Sequence, residues 1–542
     1  MNKQPDIHNN TKMSVHSWTI PSPYRLLSDI GNKFFGKKEF TPSYILVTTL
    51  ITTFLCYFYE MIWGLGCADT MCEGMFYYTN SDYSTSQARW MIRYLNAIFG
   101  KNTIFPAITI LSYCFMIGIS TYIICRMIRI SNPLSQILIT AMMISFPVVT
   151  HHFAFLYMAL AFSFSFLMVV VGICFIRTRK VYGILLGLLC FILMMGSYQA
   201  YVGAISALSI ILLISDTLNN DRLKTGFLNI AFTAATAFVA CILNSPISKL
   251  MMRLHHVAPD ERVSAFSVKS IFENLGFTLK YSYLWFFPYF RRQVLSRHRI
   301  YAVIFSLIAI LMIIILIQLI RMKKITTALV ICISVLLIPL SMNLLVIILP
   351  SNGIRDLLVY QFVLIFPLLF IFHKYLGDML INNLLKYITL ISLVLMFIAN
   401  VITANCTARL YKLCYDQYEQ ELTFALERIY QFDDYEKDIT PIVTGGAPPI
   451  DYVSERYPMI FRYAEVEGNI AFWYNIYGMK TCRYNFFGDF LGVNAGWIET
   501  DEYLSIIQSE EYQQMPLWPE SGSVKMIDGM AVIKFTDEPP LY

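Results

Sequence analysis

Within residues 67–101 the chain carries three carboxylates, Asp69, Glu73 and Asp82, and two arginines, Arg89 and Arg93. A further carboxylate, Glu60, sits late in the apolar run just before them. Carboxylates so placed can take the proton of an acceptor hydroxyl as a general base. Arginines can pair with a phosphate through their forked donors and stabilise it as it leaves. Transfer of a sugar from a lipid-linked phosphate needs both parts. A polar loop is also charged simply because it is wet, so the island must be matched with elements that would hold it in place.

Other residues could join it. Tyr198 and Gln199, at a corner between two apolar runs, can hydrogen-bond a sugar hydroxyl or satisfy the backbone of the corner. Arg355, in S-N-G-I-R-D at the end of a late run, is a second phosphate candidate, with Asp356 beside it as a structural partner. Trp90, Trp285 and Trp473 can stack on sugar rings, and the first two also fit interface anchors. The pairs His151-His152 and His255-His256 have no Cys or carboxylate at metal-ligand spacing, so no metal is expected.

The elements that carry these residues are apolar. Of 542 residues, 57% are hydrophobic and 14% charged, and the mean hydropathy is +0.56. A soluble domain carries about a quarter charged residues. Runs long enough to cross a hydrocarbon core as helices fall at 43–64, 104–124, 134–150, 153–175, 181–197, 200–215, 226–243, 300–320, 325–348, 358–372 and 387–404. The class is an α-helical polytopic membrane protein of about eleven spans. Lys and Arg gather in alternate connections, at Arg126 and Arg129, at Arg177, Arg179 and Lys180, at Arg222 and Lys224, at Arg321, Lys323 and Lys324, and at Lys374 and Lys386. The positive-inside bias then puts the N-terminus in and the C-terminus out.

This topology divides the chain into a cytoplasmic tail, 1–42, a membrane domain, 43–404, with outer loops 65–103 and 244–298, and an extracytoplasmic C-terminal domain, 405–542. The tail lacks an apolar stretch ending in a small-residue cleavage site, so no removable signal is expected. In the second outer loop Val268, Ile271, Phe272, Leu275 and Leu279 make one helical stripe, which suggests a helix lying in the interface or walling a lipid groove. In the C-terminal region P-I-V-T-G-G and M-A-V-I-K-F read as strands, giving a small α/β domain. Cys67, Cys72, Cys406, Cys414 and Cys482 fall outside the spans, and Cys67 and Cys72 are close enough to bridge. No nucleotide-binding glycine pattern is present, no nucleic-acid partner is implied by the net charge of +5, and the scarcity of charge within the spans disfavours an ion-coupled carrier.

From residues 59–96, and again at Ser197-Tyr198-Gln199, the chain resembles the GtrII-type membrane glucosyltransferases of bacterial O-antigen modification. That family has an acidic motif soon after the first span, then Q-G-R-W, and later an S-x-Y-Q-like element. Here Gln87-Ala88-Arg89-Trp90 matches with Ala for Gly, and Asp69 falls at the acidic motif. The family's acids are often consecutive, whereas Thr70 follows Asp69, so the base lies between Asp69 and Glu73, with Asp82 third.

The resemblance implies a GT-C-like fold and an inverting displacement. It implies a polyprenyl-phosphate hexose donor, with glucose expected, and a surface-glycan acceptor such as O-antigen or its lipid-linked precursor. It implies no cofactor, a place in the bacterial cytoplasmic membrane, and a donor-synthesising glycosyltransferase and a flippase as companions. Asp69 or Glu73 would be catalytic. Asp82, Gln87, Arg89, Trp90, Tyr198, Gln199 and Arg355 would bind substrate, with Arg89 first for the phosphate. A surface-glycan polymerase and a non-enzymatic transporter or flippase are the alternatives.

Overall fold

The computed structural model describes residues 42–73, 81–98, 103–220, 223–260, 275–292, 297–344, 356–437, 439–446, 448–449, 451–465, 476–494 and 498–537. Its helices are α1 Pro42–Trp63, α2 Ala68–Glu73, α3 Ser81–Ser86, α4 Met91–Ile98, α5 Pro106–Met127, α6 Pro133–Ser145, α7 Pro147–Ala154, α8 Leu156–Ile176, α9 Val181–Ser197, α10 Val202–Asn220, α11 Leu223–Leu254, α12 Leu275–Arg292, α13 Arg297–Arg321, α14 Ile325–Met342, α15 Ile365–Leu376 and α16 Leu380–Ile429. After them come α17 Asp451–Arg456, α18 Pro458–Tyr463, α19 Ile476–Leu491, α20 Thr500–Gln508 and α21 Glu510–Gln513. Five of these helices open on proline, where the missing N–H costs nothing.

Among the described residues nine helices are long and apolar enough to cross a membrane. The apolar runs at 181–197 and 358–372 fold as two shorter helices, Val181–Ser197 and Tyr360–Leu376. The most buried of the nine is Pro133–Ala154, with 94% of its apolar window buried. It is interrupted: Phe146 is extended (φ −58°, ψ 134°), and Pro147 starts the second piece. The runs expected at 134–150 and 153–175 therefore meet at Phe155, between Ala154 and Leu156.

That meeting point organises the polar island. Met158 N–H donates to Phe155 O at 2.9 Å, which leaves the Ala154 carbonyl without its helical partner. An apolar bundle holds no water to satisfy such a group. Two donors reach it from the island instead, Cys67 N–H at 3.0 Å and the Thr70 hydroxyl at 2.6 Å. Gly66 makes the approach possible, because a Cβ there would stand 2.7 Å from Ala154 O. Tyr415 Oη from α16 donates to Gly66 O at 3.0 Å, clamping the turn from the other side.

Helices run across two of the expected boundaries. Composition changes near 405, but α16 continues as one helix of 50 residues through the start assigned to the C-terminal domain. At 1.5 Å per residue it is about 75 Å long. Likewise α11 runs on through residue 254, so the first part of the 244–298 connection is helical. Val268, Ile271 and Phe272 lie outside the described residues. The rest of that stretch, α12, buries Ser282, Phe286, Tyr289 and Phe290, with three rings against Phe362 at 5.0–5.6 Å. It packs into the bundle with this face.

Near the end of the chain β1 (Ile442–Gly445), β2 (Val524–Ile527) and β3 (Met530–Lys534) form a sheet ordered β1-β3-β2. β1 pairs parallel and β2 antiparallel with β3, the latter through Asp528-Gly529, both at positive φ as a tight hairpin demands. The two segments read as strands are β1 and β3. Cys67, Cys406 and Cys414 are free thiols, so Cys67 is not bridged to Cys72.

Gly64 tests the turn into the island. It sits at φ +56°, and a Cβ on it would fall 2.2 Å from Pro106 Cγ. Gly64→Ala should lose at least the 1–2 kcal/mol (roughly) of a left-handed residue, read as a lowered thermal midpoint in detergent.

Candidate functional site

Among the described residues the island forms three short helices, of which α2 and α4 reach the α7–α8 junction. Asp69 is exposed on the first turn of α2, and Glu73 is the last residue of the same helix, four positions on. The two positions share a face; the Glu73 side chain lies outside the described residues. α2 and the turn before it are tied down at three places: at Ala154 O, at Gly66 O, and at Met71 O, which accepts from Asn485 Nδ2 of α19 at 2.6 Å. Burial, and secondarily the Asp69 charge, pushes the Cys67 thiol up to about 12, so it stays protonated beside Asp69 at neutral pH.

Gln87-Ala88-Arg89-Trp90 is the C-terminal cap of α3. Arg89 N–H reaches Ser84 O at 2.9 Å and Ala88 N–H reaches Thr85 O at 3.0 Å, with Ala88 at φ +62°. These are the two bonds of a Schellman motif, whose left-handed position favours glycine. The glycine of Q-G-R-W thus has a backbone reason, and Ala88 occupies its place under strain.

The cap aims its side chains at the corner after α9. Arg89 Cζ lies 4.8 Å from the Tyr198 ring centroid, and Gln199 Nε2 donates to Ala88 O at 3.1 Å. Stacking engages the guanidinium plane and leaves its edge donors for other partners. Arg89 Nε is buried and without a hydrogen-bond partner among the described residues. Gln87 is half-buried. Trp90 is 7% exposed: its ring lies on Gly196, where a Cβ would come within 2.4 Å, and Nε1 donates to Asn244 Oδ1 at 3.3 Å. The indole is buried by this packing, which differs from an exposed interface anchor. Asp82 is exposed and ion-paired with Arg93, not with Arg89.

Beneath the corner, a chain of rings runs from Tyr198 to α7. Tyr198 meets Phe162 edge-on at 4.8 Å, and Phe162 stacks on His152 at 4.1 Å. His152 Nε2 donates to Leu357 O at 2.9 Å, which fixes its proton, and in the neutral ring Nδ1 accepts from Tyr113 Oη at 2.7 Å. Leu357 follows Asp356 in the 3₁₀ turn Asp356–Leu358. Arg355 and Trp473 lie outside the described residues.

A contact that sequence reasoning missed joins α7 to the C-terminal region. His151, 3% exposed, has Nε2 3.6 Å from Glu465 Oε2, and Glu465 N–H donates to Thr407 Oγ1 of α16 at 2.9 Å. The adjacent histidines therefore have separate structural duties. No cluster of three metal-ligating side chains occurs among the described residues. The structure places Arg89, Trp90, Tyr198 and Gln199 in one cluster and Asp69 on an arm tethered to the same α7–α8 junction.

A family model described as Glucosyl transferase GtrII matches residues 72–372, more than half of the chain. The match takes in Glu73, Asp82, the Gln87–Trp90 motif, Tyr198, Gln199 and Arg355, and begins just after Asp69. No curated protein and no solved structure matches significantly.

Ala88→Gly should relieve the left-handed strain and stabilise the protein by about 1 kcal/mol. The check is a raised thermal midpoint in detergent with the Arg89–Tyr198 contact intact.

Proposed function

The chain belongs to the GtrII glucosyl transferase family and is a multi-pass membrane glycosyltransferase, and from that premise we propose its reaction and its site. Glucose moves from a polyprenyl-phosphate donor to a hydroxyl of a surface polysaccharide, such as O-antigen or its lipid-linked precursor. The bundle is of the GT-C kind, with eleven crossings, an N-terminus in the cytoplasm, and the island and C-terminal domain on the outer face of the bacterial cytoplasmic membrane.

The observation that carries this reading is the exposed Asp69 on a helix clamped at Ala154 O and Gly66 O. A base must be held in position but reachable by the hydroxyl it deprotonates. In the proposed step the acceptor oxygen attacks the anomeric carbon and the bond from that carbon to the phosphate oxygen breaks. Asp69 takes the acceptor proton, and polyprenyl phosphate leaves with the bonding electron pair. Attack from the side opposite the leaving group inverts the anomeric centre. Arg89, steadied on Tyr198, is available to donate to phosphate or sugar through its edge. Gln199, with Nε2 committed to Ala88 O, keeps its carbonyl oxygen as an acceptor. Asp82, Gln87 and Arg355 complete the proposed substrate contacts.

Asp69→Asn should lower transfer by on the order of 10²–10⁴-fold, with expression and melting unchanged. The assay is glucose transfer by membranes supplied with polyprenyl-phosphate glucose and acceptor glycan. Full activity in Asp69→Asn together with loss in Glu73→Gln would move the base to Glu73. In a deletion strain, long glycan chains lacking the glucose branch support a decorating enzyme; single repeat units would indicate a polymerase instead.

A further inference from the structure

Where α1 ends and α16 leaves the apolar layer, two cations of α16 approach one indole. Arg409 Cζ lies 5.7 Å and Lys412 Nζ 5.8 Å from the Trp63 ring centroid, and the Tyr59 ring stacks on Trp63 at 5.0 Å. Asn405 Nδ2 fastens the two helices by donating to Leu55 O at 2.8 Å. Arg409 is exposed, and no carboxylate pairs with it among the described residues; Lys412 is ion-paired with Asp416.

The cations cap an apolar stripe. Ile391, Leu395, Ile398 and Ile402 are all exposed on α16, at spacings that return to one helix face, and Arg409 lies two turns beyond Ile402 on that face. On the orientation proposed above this end of α16 points away from the cytoplasm, where the positive-inside bias does not account for paired cations. A long hydrocarbon with a phosphate head matches both halves of the surface: the chain fits the stripe, and the head meets two cations at the depth of the lipid headgroups. Tyr415, one turn past Lys412, holds Gly66 O, so the cations sit beside the segment that leads into Asp69.

We propose that Arg409, Lys412 and Trp63 bind the phosphate of a polyprenyl phosphate, with its chain laid along the exposed stripe of α16. The site rests on the donor class proposed above and supplies a phosphate contact outside the segment that the family model matches. Arg409 and Lys412 then act on the leaving phosphate, by displacement of Asp416 from Lys412 when the lipid arrives.

The test is equilibrium binding of radiolabelled polyprenyl phosphate to the full chain in phosphatidylcholine nanodiscs. Arg409→Gln with Lys412→Gln should weaken binding at least tenfold, Arg409→Lys should restore most of it, and unphosphorylated polyprenol should not distinguish wild type from variant. Unchanged affinity in the double variant would overturn the site. So would equal displacement of the lipid by phosphatidylglycerol, which would mark a general anionic-lipid contact. Glucose transfer is measured in parallel. A wild type that transfers glucose alongside variants of unchanged affinity defeats the site alone; a wild type that binds the lipid but transfers nothing defeats the reaction alone.

Discussion

One backbone carbonyl, Ala154 O, sets the conditions for everything above it. A helix that stops inside an apolar bundle strands polar groups, and each unsatisfied one costs several kcal/mol (roughly) in hydrocarbon surroundings. The break at Phe155 strands this carbonyl, and Cys67 N–H and the Thr70 hydroxyl satisfy it. The polar island is therefore folded inward onto the bundle, with Asp69 one residue from the hydroxyl that makes the bond. One turn earlier, His151 reaches the C-terminal region while His152 reaches Tyr113 and Leu357. A single interrupted helix thus receives the island, a late 3₁₀ turn and the chain's last third.

Burial separates the side chains that serve architecture from those left able to meet a substrate. Trp90 and Gly196 form a knob and a hole, and Asn244 takes the one polar atom of the indole. Arg89 is partly shielded, with the Tyr198 ring against its plane. Buried polar groups with every bond made rigidify a structure, and His373, bonded to Asn382 and Thr389 near the other end of the bundle, is of that kind. Arg89 differs because its donors are not all committed.

The sequence made the membrane class legible because crossing length and apolarity are local properties, and the runs between 43 and 404 carry them with little charge inside, Glu60 being the chief exception. The acid-and-arginine island stood out for the same reason, because charge between apolar runs is also a local property. Trp90 was not, since indole composition fits a belt, a stacking platform and a core equally well, and only Gly196 across the bundle decides. Ala88 could be seen as a departure from Q-G-R-W, but the left-handed turn behind the glycine emerges only with the bonds to Ser84 and Thr85. Glu465 and His151 lie too far apart along the chain for any spacing rule to join them. The boundary at 405 followed hydropathy, whereas helix continuity is decided by backbone bonding, which is indifferent to whether side chains face lipid or water.

α16 turns these separate contacts into a problem of phase. Asn405, Thr407, Arg409, Lys412 and Tyr415 meet α1, the 64–66 turn and residue 465, and farther along Arg428 lies over Trp518 at 4.4 Å. All are keyed to one shaft that advances about 100° per residue. Inserting a single residue between Tyr415 and Arg428 would turn the Trp518 contact by more than a quarter revolution relative to the turn below Asp69, with no loop in between to unwind the error. The chain can change length in its connections, but along this helix its spacing is fixed in units of angle.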